Sequence, residues 1–131
     1  LMAEANTFSL SGLNQLSNGK GWYSYSGLIA CTTNAKPVVT VNNTGQHDAL
    51  VTVTFNGSVA LADLNAGSNS VCHIYLGDAI VMQNKIQTLD QGNPYMFEVS
   101  LFVPKNSTFR IDVTDADNTG KTTTLVRAYY V

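Results

Sequence analysis

The sequence predicts an all-β protein, an antiparallel β-sandwich of seven to nine strands with jelly-roll topology favoured. Apolar and polar residues alternate through 95–103 and again through 109–113, which is the period of a half-buried strand. Turn-forming residues interrupt the apolar runs at short intervals. Only 12% of the 131 residues are charged, about half the usual ~25%, and Thr, Asn and Ser fill the difference. These residues favour strands and tight turns.

The strands are expected in a definite order along the chain, each an apolar run bounded by turn residues. Their predicted ranges are 22–33, 37–43, 49–55, 71–76, 79–83, 95–103, 109–114 and 122–131. No segment has the 3.6-residue apolar period of a helix longer than two turns. The prediction is therefore of many short strands and little or no helix.

The two strands on either side of Pro104 are expected to form a hairpin. Residues 104–107 have turn chemistry, and a one-residue slip would turn every apolar side chain outward. The burial pattern therefore sets Val103 opposite Phe109 and Leu101 opposite Ile111.

Two finer expectations follow from hairpin register. The hairpin around Pro104 would bring Phe102 against Arg110 in a cation–π contact. A second turn is predicted at Asn56 and Gly57, with a three-residue loop or a bulge, because a two-residue loop would mix the two faces.

The chain is expected to form one β-sandwich domain, residues 22–131, preceded by an N-terminal arm, residues 1–21. The arm has a few apolar anchors in a polar background and ends in a Gly- and Ser-containing joint at 17–21. Such an arm could pack on a neighbouring molecule or on its own sandwich.

Charge and hydropathy argue against two classes of partner. The net charge is −2, and the seven Lys and Arg residues are scattered rather than clustered, so no nucleic-acid partner is expected. No run approaches the ~18 apolar residues of a membrane span, and no signal peptide opens the chain, so no membrane partner is expected either.

Cys31 and Cys72 both fall inside predicted strands, where small buried hydrophobes are the favoured interpretation. A disulfide between them remains the alternative. Neither a CxxC spacing nor a pair of histidines accompanies them, so they indicate no metal site.

No catalytic site is expected. The chain has two histidines and none of the common nucleophile or phosphate-binding motifs. His47 and Asp48 could suggest a base with an orienting carboxylate, but adjacent residues on a strand point to opposite faces, and 45–48 reads as a loop. His73 alternates with the apolar residues Cys72 and Ile74, so it is expected to face solvent or an interface. No cofactor is implied.

Asp115 and Asp117 open the best candidate for a metal site. Oxygen donors at alternate positions before Gly120 are typical of a calcium loop. However, Val126 stands where an acidic residue would close that loop, and the same residues suit a plain turn between the last two strands, which is favoured.

Two aromatic clusters lie near the ends of the predicted sandwich: Trp22, Tyr23 and Tyr25, and then Tyr129 and Tyr130. Burial in the core or in a subunit interface is the favoured reading. A sugar-binding platform is the alternative.

The chain resembles small jelly-roll accessory proteins of tailed bacteriophage virions. The resemblance lies in the Thr- and Asn-rich strands 38–43 and 50–55 and in the Pro104 turn. Head decoration (cement) proteins are the nearest type. The resemblance implies a non-enzymatic homotrimer that is made in the host cytoplasm. It would bind the major capsid protein at capsid junctions on the virion surface. The alternative is a receptor- or carbohydrate-binding module such as a tail-fibre tip.

Overall fold

A computed structural model describes residues 12–59, 70–86, 95–116 and 120–131. Its ten strands are β1 (Asn14–Gln15), β2 (Gly21–Tyr25), β3 (Ile29–Ala30), β4 (Lys36–Val41), β5 (Ala49–Val59), β6 (Ser70–Leu76), β7 (Ala79–Ile86), β8 (Tyr95–Val103), β9 (Phe109–Asp115) and β10 (Gly120–Tyr130). These ranges contain no helix, and hence no helix long and apolar enough to cross a membrane. The prediction of an all-β chain is confirmed.

Two antiparallel sheets face each other. Sheet A has the order β1-β2-β10-β5-β8, with β3 also on β10, and sheet B has the order β4-β9-β6-β7. Among the eight longer strands the pairs are nested: β2 pairs with β10, β4 with β9, β5 with β8 and β6 with β7. This nesting is one long hairpin rolled into a sandwich, which is the jelly roll.

The interior is formed by the alternating faces that the sequence predicts. Val53 and Phe55 of β5 and Ile111 and Val113 of β9 are completely buried. Phe97, Val99 and Leu101 of β8 pack against this core but remain partly exposed. Strand β8 is an edge strand of sheet A, so its inward side chains have a neighbouring strand on one side only.

The predicted 22–33 strand is divided in two. It breaks after Tyr25, where Gly27 has a φ of +69°, and resumes as the two-residue β3. Glycine tolerates this left-handed conformation because it has no Cβ. The backbone N–H of Ser26 still donates to Thr124 O at 3.0 Å, so the break stays attached to β10.

The predicted hairpin around Pro104 is wrong. Strands β8 and β9 lie in different sheets, so their connection crosses the sandwich. Val103 pairs with Ala49 of β5, whereas Phe109 pairs with Val41 of β4 and Leu76 of β6. The alternation predicted which side chains face inward but carried no information about which strand lies alongside.

The predicted contact between Phe102 and Arg110 is therefore also wrong. Phe102 lies on the outer face of sheet A and is 70% exposed. Arg110 lies on sheet B, where its guanidinium carbon is 4.1 Å from the ring centroid of Tyr75. The cation–π interaction exists with a different aromatic partner.

The turn predicted at Asn56 and Gly57 is absent, because both residues lie within the 11-residue strand β5. Asn56 pairs with Met96 on one side and Thr123 on the other. Hydrogen-bonded ladders on both sides of β5 outweigh the local turn preference of the Asn-Gly dipeptide.

Part of the predicted arm is strand. Asn14 of β1 pairs with Tyr23, and its Nδ2 donates to Tyr23 O at 3.2 Å. The chain then turns back into β2 at Gly21, where a Cβ atom would collide with the carbonyl oxygen of Ala128. Residues 1–11 lie outside the described residues, and the domain boundary at residue 22 remains a prediction.

Candidate functional site

The residues considered for catalysis have structural contacts. Asp48 Oδ1 accepts a hydrogen bond from the backbone N–H of Lys105 at 2.9 Å, and Asp48 O accepts one from Val131 N at 3.0 Å. The ring of His47 packs against Tyr130, with 4.8 Å between the ring centroids. The Asp48 carboxylate thus binds a loop rather than orienting a base.

The outer face of sheet B carries a connected set of polar side chains. Arg110 Nε donates to Asp112 Oδ1 at 2.9 Å while its guanidinium stacks on Tyr75. His73 lies opposite Asp112 in the register, and His73 Nε2 is 3.1 Å from Gln83 Oε1. These polar groups bind one another, which reduces what they offer to a ligand.

The two cysteines are buried thiols and form no disulfide, as the favoured reading expected. Burial raises the pKa of the Cys72 thiol from 9.0 to about 12, and the carboxylate of Asp112 adds to the shift. A thiol that stays protonated is a poor nucleophile and a poor metal ligand.

The predicted calcium loop or turn falls mostly on 117–119, outside the described residues. Asp115 itself is completely buried, and its backbone N–H donates to Thr32 O at 2.7 Å. Within the described ranges no three His, Cys, Asp or Glu side chains come close enough to hold a metal ion.

Two loops at one end of the sandwich are joined by hydrogen bonds centred on Thr44. Thr44 is completely buried, its Oγ1 donates to Pro104 O at 2.9 Å, and the same oxygen accepts from Ser107 N at 3.0 Å. The N–H of Asn106 donates to Gly45 O at 2.7 Å. Asn106 and Gly45 both have positive φ, 56° and 94°. Loops 42–48 and 104–108 therefore form one braced unit, which we call the loop platform.

Beside the loop platform lies an exposed apolar surface, the Phe102 patch, made of Phe102, Pro104 and Val131. Phe102 is 70% and Val131 71% exposed. The three residues line a shallow depression of about 290 Å³ together with Asp48 and Val103. Because Val131 N donates to Asp48 O and Lys105 N to Asp48 Oδ1, Val131 and the loop are held in place.

A second depression, the tyrosine groove, lies on the outer face of sheet A where β2 and β10 pair. It has a volume of about 280 Å³, and its side-chain walls are Leu16, Tyr23, Tyr25, Arg127 and Tyr129. The register places Tyr23 opposite Arg127 and Tyr129 opposite Gly21. Tyr23 and Tyr25 are two residues apart, so they share one face of β2.

The charge of the groove is compensated within sheet A. Arg127 Nη2 donates to Glu98 Oε2 at 3.1 Å, and Thr54 Oγ1 donates to the same oxygen at 3.0 Å. The Arg127 and Glu98 side chains are 46% and 54% exposed. The pair therefore offers solvent-accessible donors and acceptors without a net charge.

The two aromatic clusters of the sequence are only partly brought together. Tyr23, Tyr25 and Tyr129 line one groove, whereas Trp22 is completely buried and Tyr130 packs against His47. Sequence reasoning missed the ion pair and the exposure of Phe102. The alternation along β8 indicates both, because Glu98 and Phe102 occupy even-numbered positions and therefore lie on the outward face of the strand.

No family model and no curated protein matches the chain. Among solved structures, the VP2 subviral particle of infectious bursal disease virus aligns with 10% identity and a TM-score of 0.53, over 85% of this chain and 33% of that one. The chain thus spans about a third of the length of that structure. The VP2 likeness shows a shared β-sandwich fold. A Bacillus endospore appendage (a disulfide-linked pilus) aligns with 13% identity and a TM-score of 0.48, over 91% of this chain and 97% of that one.

Proposed function

We propose that this protein is a non-enzymatic virion structural protein, a capsid decoration (cement) protein that binds at junctions between copies of the major capsid protein. The observation that carries the proposal is the Phe102 patch beside the braced loop platform. The fold shared with a VP2 subviral particle supports it at the level of architecture.

The Phe102 patch has the properties of a docking surface. Burying a Phe side chain contributes about 1.5–3 kcal/mol, and Phe102 and Val131 leave most of their apolar area open to water. The hydrogen bonds of Thr44 and Asp48 hold the surrounding loops in one conformation. A surface that is already ordered loses little entropy when it binds.

The low charge of the chain supports a protein partner. With 12% charged residues and a net charge of −2, few charges have to be desolvated at an interface. The scattered Lys and Arg residues do not form the basic footprint of a nucleic-acid partner.

The proposed assembly is a homotrimer on the outer surface of the capsid, with the protein made in the host cytoplasm. Symmetry lets three weak contacts act together, so a small interface gives firm attachment. Residues 1–21 are proposed as an N-terminal arm ahead of the single domain 22–131. Because β1 pairs with β2, it is the segment before β1 that is proposed to reach a neighbouring subunit.

The test uses capsids assembled without this protein by the virus that encodes it. Purified protein is expected to sediment with these capsids and to raise their melting temperature. Phe102→Ser is expected to abolish both effects. Ile80→Ser, which changes another exposed apolar residue (52% exposed) on sheet B, is expected to keep them.

Two results would contradict the proposal: wild-type protein that leaves capsid melting unchanged, or a Phe102→Ser variant that binds as well as wild type. Native mass measurement at several concentrations, with and without capsids, tests the trimer.

A second candidate function, a receptor- or carbohydrate-binding module such as a tail-fibre tip, is favoured by the tyrosine groove. It predicts binding to the surface of host cells. Loss of cell binding in Tyr129→Ser, but not in Phe102→Ser, would identify the groove as the binding surface.

A further inference from the structure

We propose that the tyrosine groove binds an uncharged pyranoside, with a sugar ring against the tyrosine faces and its hydroxyls at the Arg127 guanidinium. The inference deepens the second candidate function by naming its ligand, and it does not depend on capsid docking through the Phe102 patch.

The groove offers aromatic faces at an angle to each other. Tyr129 is 56% and Tyr25 is 37% exposed, and the Tyr23 and Tyr25 rings are 5.4 Å apart with 45° between their planes. The face of an aromatic ring is negative and attracts C–H groups, which cover one side of a pyranose ring. The phenol hydroxyl of Tyr129 provides a hydrogen-bonding group at the end of its ring.

Gly21 marks one end of the groove. Gly21 lies opposite Tyr129, so no side chain rises from β2 beside the Tyr129 ring. A Cβ there would be 3.1 Å from Leu16 Cδ1 and would collide with the backbone of Ala128. This position is therefore filled by the Ala128 backbone and the Leu16 side chain, and Leu16 forms the wall of the groove there.

The polar side of the groove is suited to hydroxyl groups. The Arg127 guanidinium has five N–H donors, of which one is directed to Glu98 Oε2, and the carboxylate has lone pairs beyond those that Thr54 and Arg127 use. Arg127 lines the groove and Glu98 does not, so a sugar hydroxyl in the groove accepts a hydrogen bond from the guanidinium. Because the two charges compensate each other, an uncharged ligand is favoured over an ionic one.

The size of the groove limits the ligand. Its volume of about 280 Å³ lies just below that of typical small-molecule sites, which span roughly 300–1,000 Å³. The groove is therefore matched to a single pyranose ring. So small a contact area predicts binding in roughly the millimolar range.

The experiment is a saturation-transfer and chemical-shift NMR titration of the full chain with methyl pyranosides of glucose, galactose, mannose and N-acetylglucosamine. At least one is expected to bind saturably. Tyr129→Ser is expected to weaken that binding about tenfold, because it removes the most exposed ring of the groove. Tyr25→Ser is the second variant. Tyr75→Ser, the same exchange on the outer face of sheet B, is expected to leave binding unchanged.

Three results would overturn the inference: no saturable binding of any of these glycosides, equal binding by wild type and by folded Tyr129→Ser and Tyr25→Ser variants, or more than about tenfold tighter binding of methyl glucuronide than of methyl glucoside. Folding is checked by the thermal midpoint of each variant. The proposed capsid function is tested separately, since Phe102→Ser is expected to retain sugar binding while it loses capsid binding.

Discussion

Trp22 and Phe109 meet edge-to-face between the two sheets, with ring centroids 6.2 Å apart and planes at 67°. Both side chains are completely buried. Trp22 belongs to β2 in sheet A and Phe109 to β9 in sheet B, so the pair joins the two sheets. Edge-to-face pairs add about 0.5–1.5 kcal/mol to the gain from area burial.

Phe109→Ala is expected to lower the free energy of unfolding by about 3–5 kcal/mol, because it leaves a cavity against Trp22. Urea unfolding followed by tryptophan fluorescence measures the change. Phe102→Ala is the matched control, since its side chain is 70% exposed, and a change within about 0.5 kcal/mol is expected there. Similar losses in the two variants would contradict the placement of Phe109 between the sheets.

Thr44→Val is expected to destabilise the loop platform. The new side chain has almost the same shape, but Pro104 O and Ser107 N both lose their partner. Unsatisfied buried groups cost about 1–3 kcal/mol. Thr52→Val is the control, because Thr52 Oγ1 has only an exposed contact with Ser100 Oγ, at 3.0 Å. Amide hydrogen exchange of Ser107 is expected to accelerate in Thr44→Val alone.

Arg110→Leu and Arg127→Leu make the same exchange in two different environments. The Asp112 side chain is only 10% exposed, so loss of Arg110 leaves a poorly hydrated carboxylate and costs about 1–3 kcal/mol. The pair of Arg127 and Glu98 is about half exposed, and its loss is expected to cost less than about 1 kcal/mol. Thermal denaturation compares them, and the reverse order would be inconsistent with these burials.

Cys72 makes stability depend on pH in the alkaline range. Its folded-state pKa is raised from 9.0 to about 12 by burial, with Asp112 as the second cause. Between those values the folded protein keeps a proton that the unfolded chain releases, so the free energy of unfolding falls as pH rises. The contribution is fully present below about pH 9 and is lost toward pH 12.

The measurement for Cys72 is the difference in unfolding free energy between wild type and Cys72→Val as a function of pH. Subtraction removes the titration of Lys and Tyr residues that both proteins share. The wild-type advantage is expected to shrink above pH 9, and a difference that stays constant would show that the buried thiol does not contribute.

The sequence predicted most strands of this protein because their signals are local. The alternation of Val51, Val53 and Phe55 with Thr52 and Thr54 requires no knowledge of the rest of the chain. Local turn signals were less dependable. The Asn-Gly dipeptide at 56–57 was wrongly predicted as a turn, since ladder hydrogen bonds from β8 and β10 act on it from both sides.

The site was less predictable than the fold. Tyr23, Tyr25 and Tyr129 were recognised as members of two aromatic clusters, but Tyr129 lies more than a hundred residues from the other two in the chain. Their convergence depends on the pairing of β2 with β10. The partnership of Arg127 with Glu98 depends on the position of β5 between their strands.

By itself the sequence determined which side chains face inward, because apolar residues follow the two-residue period of each strand and exposing apolar surface is costly. Only the tertiary structure decided which strands are neighbours. Many pairings bury the same side chains, and the choice among them depends on contacts between distant segments. The tyrosine groove and the Phe102 patch arise from that choice, so they are visible only in the folded chain.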